Sequence, residues 1–136
     1  MLVLTEEIGQ PVVDADGRTL GRLRELTVDV RDERAAVVRL GVRRGRGALR
    51  WYGWRDVVSF ERTSVLLAPG AASDGPPAPT ELWLHRDVLD VQILDAHGAR
   101  IERVGDVVLV RVDHRSEEHT SELQSHLNLV CRLLLE

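Results

Sequence analysis

One stretch of the chain is written twice. Residues Val12–Val30 read VVDADGRTLGRLRELTVDV, and residues Ile93–Arg111 read ILDAHGARIERVGDVVLVR, at a constant offset of 81 with no gap. Asp14 meets Asp95, Ala15 meets Ala96, Gly17 meets Gly98 and Arg22 meets Arg103. Leu20/Ile101, Leu23/Val104, Glu25/Asp106, Leu26/Val107 and Val28/Leu109 are chemically alike. Self-similarity at a fixed offset marks two copies of one structural unit. Whatever fold the chain adopts has to accommodate that unit twice.

The unit is written for strands. A short apolar run enters Asp-x-x-Gly, where Asp bonds its own backbone and Gly accepts positive φ, so the chain reverses tightly. Leu26, Val28 and Val30 then alternate with Thr27, Asp29 and Arg31, the period of a half-buried strand. Val38, Leu40 and Val42 predict a third strand with those three on one face, Arg43–Gly47 a turn and Leu49–Tyr52 a fourth strand. Trp54–Val58 predicts one helical turn and Ser64–Leu67 a last strand. Five or six short strands at this spacing predict a mainly β fold, a small antiparallel barrel. Residues 69–80 hold four of the five prolines and predict a linker. The expected organisation is therefore a barrel over 1–68, a linker over 69–81, and an incomplete second copy over 82–114. That half-copy is expected to dock on the first barrel or to lack order, because half a barrel leaves strand edges open.

Residues 115–136 are written differently. All 18 basic residues of the chain are Arg, yet its one Asn (Asn128) and one Cys (Cys131) fall in these last positions. The run Arg115-Ser-Glu-Glu-His-Thr-Ser-Glu-Leu-Gln-Ser125 resembles a translated sequencing-library adapter over eleven consecutive residues. A non-native tail is the expectation, so no function is assigned to His119, His126 or Cys131. Leu123, Leu127, Val130 and Leu134 form one stripe at helical spacing and predict a C-terminal helix. Deleting the tail is expected to leave the folding of the first barrel unchanged.

Composition narrows the function classes. In 136 residues, 43% hydrophobic and 29% charged content describes a globular chain, not a disordered or collagen-like one. No apolar run approaches the roughly 20 residues of a membrane helix. No signal peptide opens the chain, so a cytoplasmic location is the default expectation. A single cysteine excludes a disulfide framework. A net charge of −4 gives no strong nucleic-acid signal.

The candidate sites are few. Asp14-Ala-Asp16-Gly17 lacks the third oxygen ligand and the distal Glu of a calcium loop, and reads as a plain turn. His85, His97 and His114 are too far apart for metal ligation. Asp87 and Asp90 flank Val88 and Leu89 and fit a helix start or strand lead-in better than an acid–base pair. No nucleophile motif or phosphate loop is present, so neither an enzymatic role nor a cofactor is expected. Arg43, Arg44, Arg46, Arg50 and Trp51 form a basic and aromatic cluster that suits an acidic partner, an anionic headgroup or RNA. The plainer alternative is a solvated hairpin whose aromatic rings cover the barrel mouth. Trp51 and Tyr52 are expected on opposite faces of their strand.

Pro11–Leu23, Leu26–Asp29 and Trp54–Val57 resemble the PRC-barrel, a small β-barrel of the photosynthetic reaction-centre H subunit and of the ribosome-maturation factor RimM. Arg86–Asp95 and Arg103–Val108 make the arrangement similar to the tandem PRC-type region of actinobacterial MgtE-like magnesium transporters. The resemblance covers residues 8–112. It implies a non-enzymatic interaction or regulatory module, a fragment whose partners are adjacent domains of a longer transporter-type protein or another protein. No MgtE intracellular helices, CBS pair or membrane helices occur in these 136 residues, so the chain is not expected to transport anything itself. The alternative is a free-standing RimM-like RNA-processing factor, although the few residues before Leu4 leave no room for the extra N-terminal barrel of that family.

Overall fold

A computed structural model describes residues 2–31, 34–94, 101–112 and 128–135. The chain opens with β1 (Leu2–Val3) and one helical turn, α1 (Leu4–Glu7). β2 (Pro11–Val13) and the long β3 (Thr19–Arg31) make a hairpin, β4 (Arg34–Arg43) returns along β3, and β5 (Arg50–Gly53) pairs with β4. A tight turn at Trp54–Asp56 leads to β6 (Val57–Phe60) and β7 (Val65–Leu67). Then follow β8 (Leu82–Trp83), a wide five-residue turn at Leu84–Val88, β9 (Gln92–Leu94), β10 (Ile101–Val112) and β11 (Asn128–Leu135). The architecture is mainly β, one curled sheet in the order β1-β10-β11-β4-β3-β2-β7-β6. Its pairings are antiparallel except β2 with β7, where Val12 lies beside Val65.

Local chemistry explains the elements. Asp14 accepts the backbone N–H of Asp16 and Arg18, both at 2.9 Å, and Gly17 takes φ +84°, which closes the first hairpin. The carboxylate is committed to the turn, as the sequence predicts. The single helical turn expected near Trp54 is present, and β6 continues from it. Leu23, Leu26, Leu40, Trp54, Phe60 and Val65 are buried in one core with Val107, Leu109 and Leu129 of the later strands.

Two register shifts modify the predicted alternation. Between Thr27 and Val28 the partner on β4 jumps from Arg39 to Val37, so Val37 enters the core in place of the expected Val38. Val30, expected inside, is 54% exposed near the hairpin end. Thr27 is buried instead, its hydroxyl bonded to Glu81 at 2.7 Å. Burial pushes the Glu81 carboxyl up, but the Ala78 N–H, Thr27 and Arg39 together hold it below the usual carboxylate range. Arg39 also pairs with Asp74. The proline-rich segment is thus fastened to the first barrel at Asp74 and Glu81.

The repeat is visible bond by bond. Pro11 pairs with Arg22 and Val12 with Gly21; at the same offset Gln92 pairs with Arg103 and Ile93 with Glu102. The Gly9 N–H donates to Leu23 O at 2.7 Å, and the Asp90 N–H to Val104 O at 2.9 Å. Gly9 and Asp90 both take positive φ, +102° and +66°. The second turn, Asp95–Gly98, lies outside the described residues.

The two copies exchange their leading strands. β1 lies on β10, with Leu2 opposite Leu109, while β8 lies on β3, with Leu82 opposite Val28. Each short strand is followed by a turn whose backbone N–H groups meet a carboxylate of the other copy. Glu25 accepts from His85 at 2.7 Å and Arg86 at 2.9 Å. Its counterpart Asp106 accepts from Thr5 N at 3.2 Å. Glu25 and Asp106 also accept from their own following residues, Leu26 and Val107. The described strands of the second copy join the first through this reciprocal exchange.

The predicted C-terminal helix is corrected. Val130 and Leu134 lie in β11, a strand on β10, and Val130 also pairs with Ala36 of β4. Leu123, Leu127 and the adapter-like run 115–125 lie outside the described residues. β11 runs along β10 much as β4 runs along β3, with the first slip of that ladder but not the second. Leu26 opposes Leu40 and Val28 opposes Val37, as Val107 opposes Leu133 and Leu109 opposes Cys131. An open edge and buried apolar residues on β10 favour a strand over an isolated, unpacked helix. Leu129 is 1% exposed and belongs to the core, so the tail is not neutral to the sheet.

Leu129→Ala is therefore expected to cost about 2–4 kcal/mol in urea unfolding of this chain. Glu25→Gln is expected to cost about 1–3 kcal/mol at neutral pH, by leaving one N–H without its acceptor. Burial raises the carboxyl of Glu25, and of Glu7, above the ordinary 4.5. Both therefore contribute stability that is present at acid pH and lost as pH rises through their folded values. Stability measured across pH should fall over that interval, and Glu25→Gln should flatten the fall.

Candidate functional site

The first hairpin and β4 build a basic hollow. On β3, Arg22 and Arg24 flank the buried Leu23 and share the outer face. Arg22 lies directly opposite Arg43 of β4. Like charges facing each other across a ladder oppose the pairing. The bulge between Leu23 and Glu25 carries Arg24 as its extra residue. Arg44 follows in the β4–β5 turn, where Gly45 takes φ +60°.

These four arginines and Thr19 line a hollow of about 400 Å³. Arg22 donates from Nη1 to Gly9 O at 2.8 Å. The Nε groups of Arg24 and Arg43 are buried and find no hydrogen-bond partner among the described residues. An adjoining hollow of about 300 Å³ shares Arg24 and Arg43 and reaches Trp83, Leu49 and His85. The Arg86 guanidinium lies 3.8 Å over the Trp83 ring, and Trp51 meets that ring edge-on at 4.8 Å. Among the described residues Glu25 is the single acid lining either hollow. Its oxygens already accept three backbone N–H groups.

Close approach of β3 and β4 depends on Gly21. A Cβ there would lie 2.7 Å from Arg43 O, a backbone atom that cannot swing aside. Gly41 plays a similar part farther along, since its missing side chain leaves room for the Trp51 ring.

The predicted cluster is divided by the structure. Arg43 and Arg44 line the hollow. Arg46 is exposed in the turn, and Arg50 is exposed at the start of β5. Trp51 is 7% exposed, its indole packed against Trp83 and over Gly41. Tyr52 is buried as well. Arg22 and Arg24 were not among the predicted residues. The Arg-Leu-Arg alternation of 22–24 carries their signal, because it places both on the face away from the core. His85 lies at the adjoining hollow, while His97 and His114 lie outside the described residues. No group of three or more His, Cys, Asp or Glu suited to a metal occurs among the described residues. No helix among them is long and apolar enough to cross a membrane.

The sheet from α1 to β7 coincides with a known family. The model of the PRC-barrel domain matches residues 4–72. The chain belongs to the PRC-barrel domain family. No curated protein and no solved structure matches it. The PRC-barrel unit contains the basic hollow entirely, and as a class it is a small interaction module.

Gly21→Ala should push β3 from β4 at Arg43 and cost about 1–3 kcal/mol. Chemical unfolding, together with loss of protection of the Leu23 and Val42 amides in hydrogen exchange, checks this.

Proposed function

We propose that this PRC-barrel chain is a non-enzymatic interaction and regulatory module of an MgtE-like magnesium transport protein, working by surface recognition. The observation that carries the reading is the arginine face of β3 and the β4–β5 turn. Cations that oppose one another on a rigid ladder weaken the fold, and a negatively charged partner surface relieves that repulsion. The adjacent domains of a longer chain are the partner that fits a module of this size. The paired arrangement of two PRC-type units supports the transporter context, through its similarity to the tandem region of that family. Residues 115–136 fit the same reading as a foreign segment. β11 then stands where the parent protein's own β4-type strand would lie on β10.

The test is the uninterrupted genomic reading frame beyond codon 114. The reading expects the remaining strands of the second copy, followed by helical intracellular and membrane-spanning segments. A stop codon there, or authentic genomic DNA encoding residues 115–136, overturns it. An RNA-binding assay over a salt series separates the RimM-like alternative. Little sequence-independent affinity is expected; salt-dependent binding that Arg44→Ala and Arg46→Ala abolish would favour the ribosomal role instead.

A further inference from the structure

We propose that the hollow between β3 and the β4–β5 turn is a binding site for the phosphate group of a small phosphorylated molecule. The inference goes beyond the module reading and holds whatever protein the chain is part of. Three arginines on two paired strands, and a fourth in the following turn, point their charge at one concavity of about 400 Å³. That is the size of a small-ligand site, and its polar groups converge.

Among the described residues no carboxylate lines the hollow, and the one acid they place in the adjoining hollow is engaged with backbone N–H groups. The buried Nε groups of Arg24 and Arg43 lack partners among the described residues. A buried donor without an acceptor is unfavourable, and an entering oxyanion corrects it. The guanidinium fork matches the oxygens of phosphate two at a time. A dianion with three terminal oxygens compensates four arginines better than a single carboxylate does. Thr19 adds a neutral hydroxyl at the rim. Arg24 and Arg43 also border the second hollow, whose Trp83 ring and Leu49 side chain provide an apolar place for the rest of the ligand.

The site is tested on the full chain by calorimetric titration and thermal melting at low ionic strength. The probes are inorganic phosphate and adenosine monophosphate, with matched sodium chloride as the control. Saturable binding with a rise in Tm is expected for at least one probe and none for chloride. Equal affinity for both probes identifies the free anion as sufficient, and tighter binding of the nucleotide places the remainder in the second hollow; both support the site. Arg24→Gln and Arg43→Gln should each weaken binding at least about tenfold, the loss expected for one charge-assisted hydrogen bond. Arg43→Lys, which keeps charge without the fork, should retain part of the affinity. Arg44→Gln, in an exposed turn, serves as a variant that leaves the sheet intact and should also weaken binding. Absence of saturation by both probes overturns the proposal. So does an affinity unchanged in folded Arg24→Gln and Arg44→Gln chains, or binding seen only with an oligonucleotide. The outcome is independent of the genomic reading frame, so each reading can fail alone.

Discussion

Two carboxylates beside strand bulges hold this sheet together, Glu25 buried and Asp106 partly exposed. Glu25 and Asp106 each sit just after a core residue of a long strand, Leu23 and Val104, where the ladder slips by one position. Glu25 accepts the backbone N–H of His85 and Arg86, and Asp106 that of Thr5, each in a short turn of the opposite copy. Such donors have no partner within their own turn, so a carboxylate satisfies them at the point where the helix dipole also favours negative charge. Removing water from the carboxylate is costly, as the raised Glu25 value reflects, and three N–H bonds offset that cost. The leading strands are thereby fixed to the wrong copy in sequence and the right one in space.

The reciprocity has a geometric centre. Ala36 and Val130 occupy equivalent places in β4 and β11, opposite Asp29 and Val110, and they pair with each other. An antiparallel pair of equivalent residues is self-complementary, the hallmark of a two-fold interface. The molecule is thus arranged as a dimer would be, within one chain.

Much of this was legible in the residues. Period-two alternation, the Asp14–Gly17 turn and the helical turn at Trp54 specified a β-rich unit, and the offset of 81 specified its recurrence. The exchange was not legible, because β1 and β8 are two residues each and carry no pattern of their own. Bulges escaped for a related reason. A one-residue slip depends on where the partner strand lies, so Val37 and Val38 could not be ranked from β4 alone. The last strand was not legible, because the spacing of Leu123, Leu127, Val130 and Leu134 satisfies a helix, while the open edge of β10 rewards a strand. At the candidate site, counting cations in one hairpin found Arg43 and Arg44. Arg22 and Arg24 belong with them only once β3 is laid against β4. Trp51 was grouped with its sequence neighbours although its ring fills the space left by Gly41.

The exchange of leading strands also sets an order of assembly. Thr5 and its acceptor Asp106 are 101 residues apart in the chain, and Leu2 must wait still longer for Leu109. During synthesis β1 and α1 therefore remain without their partner until β10 has followed. Closing a loop of that length is entropically demanding and slows the final step. The β2–β3–β4 meander can form early, from local contacts, while β1 and α1 dock late. Until then Leu2 and Leu4, core or core-packed in the finished sheet, lack the strand that covers them.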